Sequence, residues 1–201
     1  MMTITYPVHS GIYVNMTNRC PCACTFCLRH QGAGVYGSEP LWLDREPTVK
    51  EVCDNIDTWD LTKYNEIVFC GYGEPTERLY DLLEVAQYIK SKSDIKIRIN
   101  TNGLADLIWK ESTAPKLKGL IDSVSISLNA TNKDDYLKTV RPKFGIDSYD
   151  AMLKFTKECV QYVPSVVMTV VDKVTTKEEQ ETCRKICESV GAVLRVRPYE
   201  G

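Results

Sequence analysis

Short runs rich in β-branched residues recur along this chain at 12–15, 66–69, 96–99, 123–128, 165–171 and 193–197. Amphipathic stretches with helical spacing separate most of them. One follows Thr48, with Glu51 three residues on as a capping box. A second covers 77–90, where Leu79, Leu82, Leu83, Ala86 and Ile89 share a helical face; others cover 149–162 and 177–190, the last stopping at Gly191. Strand, helix, strand, repeated, specifies βαβ units and a parallel sheet. A closed eight-unit barrel takes ~31 residues per unit. The 201 residues therefore support about six units, matching the six runs. The expectation is an α/β fold, a partial (open) (β/α)6 barrel formed by one domain over 1–201, with a flavodoxin-like doubly wound sheet as the competing layout. In both, the ligand site lies at the carboxyl ends of the strands.

Charge narrows the function classes. Twenty-five basic and 27 acidic residues leave a net charge of −2, which argues against a broad basic face for nucleic acid. No apolar run approaches the ~18 residues of a membrane span, and the first residues lack a signal-peptide pattern. A cytoplasmic, membrane-free protein is expected. Nine cysteines is an odd number, and four of them fall between positions 20 and 27. Such clustering reads as metal ligation or redox chemistry and not as a disulfide framework.

Within the cluster, Cys20, Cys24 and Cys27 have the spacing CxxxCxxC and follow the first strand directly. Three thiolates on one loop can hold three corners of a cubane and leave its fourth iron open for chemistry. A structural zinc site usually draws four ligands from two knuckles, and here only one CxxC pair is present. Cys22 could serve as a fourth ligand of a closed, electron-carrying cluster, although three cysteines at alternate positions crowd such a site. The expectation is that Cys22 is a small bystander.

The CxxxCxxC run, with Phe26 just before its third cysteine, resembles the signature of the radical S-adenosylmethionine (SAM) enzymes. The resemblance implies that Cys20, Cys24 and Cys27 hold a [4Fe-4S] cluster, that the SAM amino and carboxylate groups chelate its open iron, and that Phe26 lies beside the adenine. It continues in the later strands. Tyr72-Gly73-Glu74-Pro75 stands where the superfamily carries a GGEP-like motif that engages the SAM amino group, with Tyr72 in place of the first glycine. Asn100, Thr101 and Asn102 close the third strand in a polar turn. Ser127 and Asn129 end the fourth, whose counterpart in related enzymes meets the SAM ribose and carboxylate. Arg195, Arg197 and Tyr199 share one face of the last strand. They either blunt an exposed edge or turn guanidiniums into the cavity toward the SAM carboxylate or an anionic substrate. Glu200 stands where glycyl-radical activases carry a histidine.

The remaining cysteines, Cys53, Cys70, Cys159, Cys183 and Cys187, read as buried small hydrophobes. His9 and His30 form no base–nucleophile pattern, and no GxSxG, Walker or HExxH motif occurs. A SAM-dependent methyltransferase of the glycine-rich-loop type lacks its loop here.

Two finer resemblances compete. The chain is similar to short members such as pyruvate formate-lyase activating enzyme, but Ser127 and Asn129 replace the Asp-x-Lys pair of those activases. The runs 15–27, Gly-Tyr-Gly-Glu-Pro and 127–130 look more like the small TatD-linked radical SAM proteins. The resemblance implies an external flavodoxin- or ferredoxin-like electron donor, reductive cleavage of SAM to methionine and a 5′-deoxyadenosyl radical, and hydrogen abstraction from a substrate. An open barrel with a loop-rich 28–47 segment leads us to expect a macromolecular substrate, protein or RNA, that completes the site. The alternative of another class is a non-catalytic iron–sulfur redox or metal-sensing module.

Overall fold

The computed structural model describes residues 2–30 and 37–199. One sheet organises them, with seven strands in the order of the sequence. They are β1 (Thr5–Val8), β2 (Gly11–Val14), β3 (Glu66–Phe69), β4 (Lys96–Thr101), β5 (Ser123–Ser127), β6 (Ser165–Val171) and β7 (Val193–Arg197). β1 and β2 form an antiparallel hairpin, and every later pair is parallel. Sequential order excludes the doubly wound layout, whose strand order reverses at a switch point. Since β1 and β7 lie at opposite ends of the order, the barrel is open.

Six helices connect the strands: α1 (Val49–Ile56), α2 (Leu79–Lys92), α3 (Ala105–Trp109), α4 (Lys133–Val140), α5 (Ser148–Tyr162) and α6 (Lys177–Ser189). α1 and α6 each start in a capping box, Thr48 with Glu51 and Thr176 with Glu179, which satisfies amide donors that a first turn leaves open. The expected helix from 77 begins instead as a 3-10 turn, Pro75–Arg78, and turns α-helical at Leu79.

The two faces of the sheet differ in chemistry because side chains alternate along each strand. Ile12, Val14, Ile67, Phe69, Ile97, Ile99, Val124, Ile126, Met168 and Val170 point outward into one core with Val52, Leu82, Ile89, Met152 and Phe155 of the helices. Cys53, Cys159, Cys183 and Cys187 belong to that core, as expected of small hydrophobes. Cys70 does not: it is half-buried at the end of β3 and faces the inside of the barrel. The inner face is polar, carrying Glu66, Arg98, Asn100, Ser125, Ser127, Thr169, Arg195 and Arg197. A smaller apolar cluster of Tyr6, Val8, Leu41 and Tyr72 covers it beside β1. The described part of the loop-rich segment therefore folds back onto the barrel, with Leu41 and Leu43 buried, where an open flank was expected. Among the described residues no helix is long and apolar enough to cross a membrane.

Candidate active site

The loop after β2 is held in place before any ligand is considered. Arg78, buried in its 3-10 turn, donates to the Met16 carbonyl (3.0 Å) and the Pro47 carbonyl (2.6 Å) and pairs with Asp81. Asn15 Nδ2 donates to the Leu41 carbonyl at 2.7 Å. Further along, the Ala23 and Thr25 amides donate to the Val140 and Thr139 carbonyls at 3.1 and 3.0 Å, and the Lys143 amide donates to the Pro21 carbonyl at 2.8 Å. The C-terminal end of α4 thus cradles the cysteine run.

Cys20, Cys24 and Cys27 are half-buried and line a single cavity of about 510 Å³ at the carboxyl ends of the strands. Burial pushes the Cys24 thiol up to about 12, so a bound cation is needed to stabilise its thiolate. Contact with the Cys22 thiol holds Cys20 below its ordinary value. Among the described residues no three His, Cys, Asp or Glu side chains converge on a point that would suit one metal ion. A cubane asks for something wider, with each thiolate on a separate iron. Cys22 is buried, with its Sγ 3.6 Å from Asn102 Nδ2.

Gly71 and Gly73 admit this loop to the end of β3; a Cβ on Gly71 would fall 2.1 Å from Asn15 Oδ1. A Cβ on Gly73 would fall 2.2 Å from the Thr17 carbonyl oxygen and 2.7 Å from that of Arg19. Only glycine allows the two loops to meet there. The Glu74 amide donates to the Arg19 carbonyl at 2.8 Å and fixes the contact. The Glu74 side chain is buried and accepts from the Thr76 amide (3.1 Å), the Thr76 hydroxyl (2.7 Å), the Thr101 hydroxyl (2.7 Å) and the Asn102 amide (2.7 Å). Burial still raises its pKa. Three of these donors crowd Oε1 and one reaches Oε2, which keeps an acceptor position. Glu74 therefore ties the ends of β3 and β4 together, a role the sequence reading did not foresee.

Phe26, Tyr72, Gly73, Glu74, Asn100, Thr101, Asn102, Ser127, Asn129 and Arg197 all line the same cavity as the three cysteines. Glu200 lies outside the described residues. Asn129 has a positive φ of 57°, and among the described residues its buried Oδ1 has no hydrogen-bond partner. The Tyr136 hydroxyl, on the same wall, is also buried and unpartnered. Orphaned polar atoms are costly in a folded protein. Two on one cavity wall, facing three thiols across a glycine-lined approach, fit a cluster with a polar organic cofactor. Tyr136 was missed in the sequence, as were Arg29 and Thr169. Its only signal is a spacing of four to Val140 in an otherwise charged run.

Among the described residues β7 is an edge strand, and Arg195, exposed, and Arg197, half-buried, both line the cavity. Arg195 donates to the Ser125 hydroxyl at 3.1 Å. Deeper in the lumen, Arg98 pairs with Glu66 at 2.6 Å and donates to Asn100 at 2.7 Å.

With this geometry in place, comparison with known proteins is informative. The model of the Radical SAM superfamily matches residues 14–186. Molybdenum cofactor biosynthesis protein 1 of Drosophila melanogaster is 26% identical over 136 residues, which is 67% of this chain and 22% of the fly protein. A radical SAM methyltransferase from Sphaerobacter thermophilus superposes with a TM-score of 0.67 at 16% identity, covering 96% of this chain and 57% of its own. Streptococcus suis SuiB bound to precursor peptide SuiA gives 0.70 at 17% identity, covering 94% of this chain and 39% of its own. The chain thus spans between about a fifth and just over half of these relatives. The two solved structures share the open-barrel fold, and the family match carries the cysteine loop with it. The chain belongs to the radical SAM superfamily.

Proposed function

We propose that this chain is a radical SAM enzyme that holds a [4Fe-4S] cluster on Cys20, Cys24 and Cys27 and binds SAM across the cavity. The observation that carries the reading is the meeting of those three half-buried thiols with a wall bearing two orphaned polar atoms, Asn129 Oδ1 and Tyr136 Oη. When bound, cluster and SAM supply one-electron cleavage of a sulfonium and hydrogen abstraction from a substrate. The chain supplies binding and orientation. Phe26 offers a ring for the adenine. The backbone of Tyr72 and Gly73 would receive the SAM ammonium, with Glu74 fixing that turn through its fully engaged Oε1 and keeping one acceptor position on Oε2. Asn100, Thr101 and Asn102 set the floor of the site, and Ser127, Asn129 and Arg197 stand ready for ribose hydroxyls and carboxylate.

An external flavodoxin- or ferredoxin-like protein would deliver the electron. The unpaired edge of β7 gives a macromolecular substrate, protein or RNA, room to approach. Within the superfamily, the runs 15–27, Gly-Tyr-Gly-Glu-Pro and 127–130 favour placement with the small TatD-linked proteins over the glycyl-radical activases, an assignment resting on those runs alone.

One observation favours a second reading. Contact between Cys22 and Cys20 places a fourth thiol beside the ligands, as a closed redox module would require. Anaerobic reconstitution of Cys22→Ala and Cys24→Ala separates the two. The enzyme reading expects Cys22→Ala to keep its iron and to show a change in the electron paramagnetic spectrum of the reduced cluster on adding SAM. Cys24→Ala should lose the cluster. Loss of iron in Cys22→Ala, with no spectral response of the wild type to SAM, would establish the closed module instead.

A further inference from the structure

The charges inside the lumen do not balance. Among the described residues its carboxylates are Glu66 and Glu74. Glu66 is taken by Arg98 through two contacts, Nε to Oε2 at 2.9 Å and Nη2 to Oε1 at 2.6 Å. Glu74 is engaged by four donors, three on Oε1 from Thr76 and Thr101 and one on Oε2 from the Asn102 amide. Three arginines remain: Arg29, which donates to the Asn18 and Cys22 carbonyls beside the cysteines, and Arg195 and Arg197 on β7. Among the described residues neither arginine of β7 has a carboxylate within 4.0 Å. Arg195 reaches only the Ser125 hydroxyl, which engages one of a guanidinium's five N–H groups. Among the described residues the buried Nε of Arg197 has no acceptor.

Alternation along β7 puts the two side chains on the same inner face, roughly 7 Å apart at their Cα atoms. Register then sets Arg195 beside Thr169 and Thr169 beside Ser127. Neutral donors therefore flank the pair along the lumen wall. Arg195 is exposed and Arg197 half-buried, so water screens part of their repulsion, and the remainder is a cost that a counter-charge would relieve. The cost is visible at Arg195, whose pKa is lowered first by burial and then by Arg98 and Arg197. Planar guanidinium forks match the oxygens of a carboxylate or a phosphoryl group, giving short charge-assisted bonds.

We propose that Arg195 and the flanking Thr169 hydroxyl, with Ser127 and Arg197 shared between this group and SAM, form an oxyanion subsite that holds a carboxylate or phosphate group of the substrate in the lumen. The proposal rests on the radical SAM reading for the identity of the neighbouring cofactor, and it narrows the substrate to an anionic one. Arg195 is the residue that separates substrate from cofactor, because the SAM carboxylate is the other anion at hand.

The test is calorimetric titration of the anaerobically reconstituted, SAM-loaded chain with sodium phosphate and, separately, sodium malonate at constant ionic strength. At least one probe is expected to bind one to one, and which of them binds better distinguishes a phosphoryl from a carboxylate substrate. Arg195→Gln should weaken that probe at least tenfold and change SAM affinity less than twofold. Arg195→Lys should fall between, keeping charge but losing the fork. Arg184→Gln, on the exposed face of α6, should bind the probe as the wild type does. Ser125→Ala guards against a misfolded arginine variant: it frees the guanidinium and should leave probe affinity within twofold. The proposal is overturned if neither probe binds, if Arg195→Gln binds the probe normally, if Ser125→Ala abolishes binding, or if Arg195→Gln loses SAM instead. A wild-type chain that takes up no SAM would undo the cofactor reading separately, and titration of that SAM-free chain would still decide this subsite.

Discussion

Gly73→Ala is the sharpest structural perturbation. An alanine methyl there would stand 2.2 Å from the Thr17 carbonyl oxygen and 2.7 Å from that of Arg19. Both neighbours are backbone, so no rotamer change can relieve the overlap. Overpacking of this kind costs about 1–3 kcal/mol. Separating the loops also breaks the Glu74 amide to Arg19 carbonyl bond of 2.8 Å, worth about 1 kcal/mol. Together these give roughly 2–4 kcal/mol, or about a 30- to 700-fold shift in the folding equilibrium. Because the strained partner is the segment leading into Cys20, iron uptake should fall as well. Urea denaturation of the apo chain and iron analysis after reconstitution read the two effects separately. Gly119→Ala is the control: φ is +77° with nothing within 4 Å of the new methyl. It should cost only the left-handed strain, about 1–2 kcal/mol, and load iron normally. A Gly73→Ala protein of wild-type stability that takes up a full complement of iron would refute the reasoning.

Other perturbations test different layers. Arg78→Met removes a buried cation from the Met16 and Pro47 carbonyls and should destabilise the chain by about 3 kcal/mol in urea melts. Tyr136→Phe deletes a buried hydroxyl with no partner, so the apo chain should gain about 1 kcal/mol in the same melts, while SAM affinity falls. Asp122 accepts from Lys90 Nζ (2.7 Å) and the Ile97 amide (2.8 Å); although burial opposes them, these contacts hold its pKa below 3.8. Its contribution is therefore present above the ordinary carboxylate range and is lost as pH falls through the depressed value. Urea midpoints followed into acid should drop less steeply in Asp122→Asn.

The strands were legible because outward-facing Ile, Val and Phe repeat at every second position, and the helix starts because Thr48 and Thr176 carry capping boxes. β1 was not: four residues including Pro7 give no periodicity, and a proline is tolerated there because the strand lies at an edge. α4 escaped notice because only Tyr136 and Val140 of its eight residues are buried, although Asn132 caps it. Cys70 was misplaced since a lone cysteine after a strand looks like core. The motifs indicated which residues gather at the strand ends. The Thr101 and Asn102 bonds to Glu74, the orphaned hydroxyl of Tyr136 and the charge excess on β7 emerge only from contacts between residues distant in sequence.

The central claim is that three thiols on the β2 loop activate SAM at the mouth of this barrel. Its most direct test is to reconstitute the chain anaerobically with iron and sulfide, add dithionite and SAM, and measure 5′-deoxyadenosine by mass spectrometry. The account predicts that 5′-deoxyadenosine forms with the wild type and Cys22→Ala and is absent with Cys24→Ala; a well-formed cluster that never cleaves SAM, with or without cell extract, would contradict it.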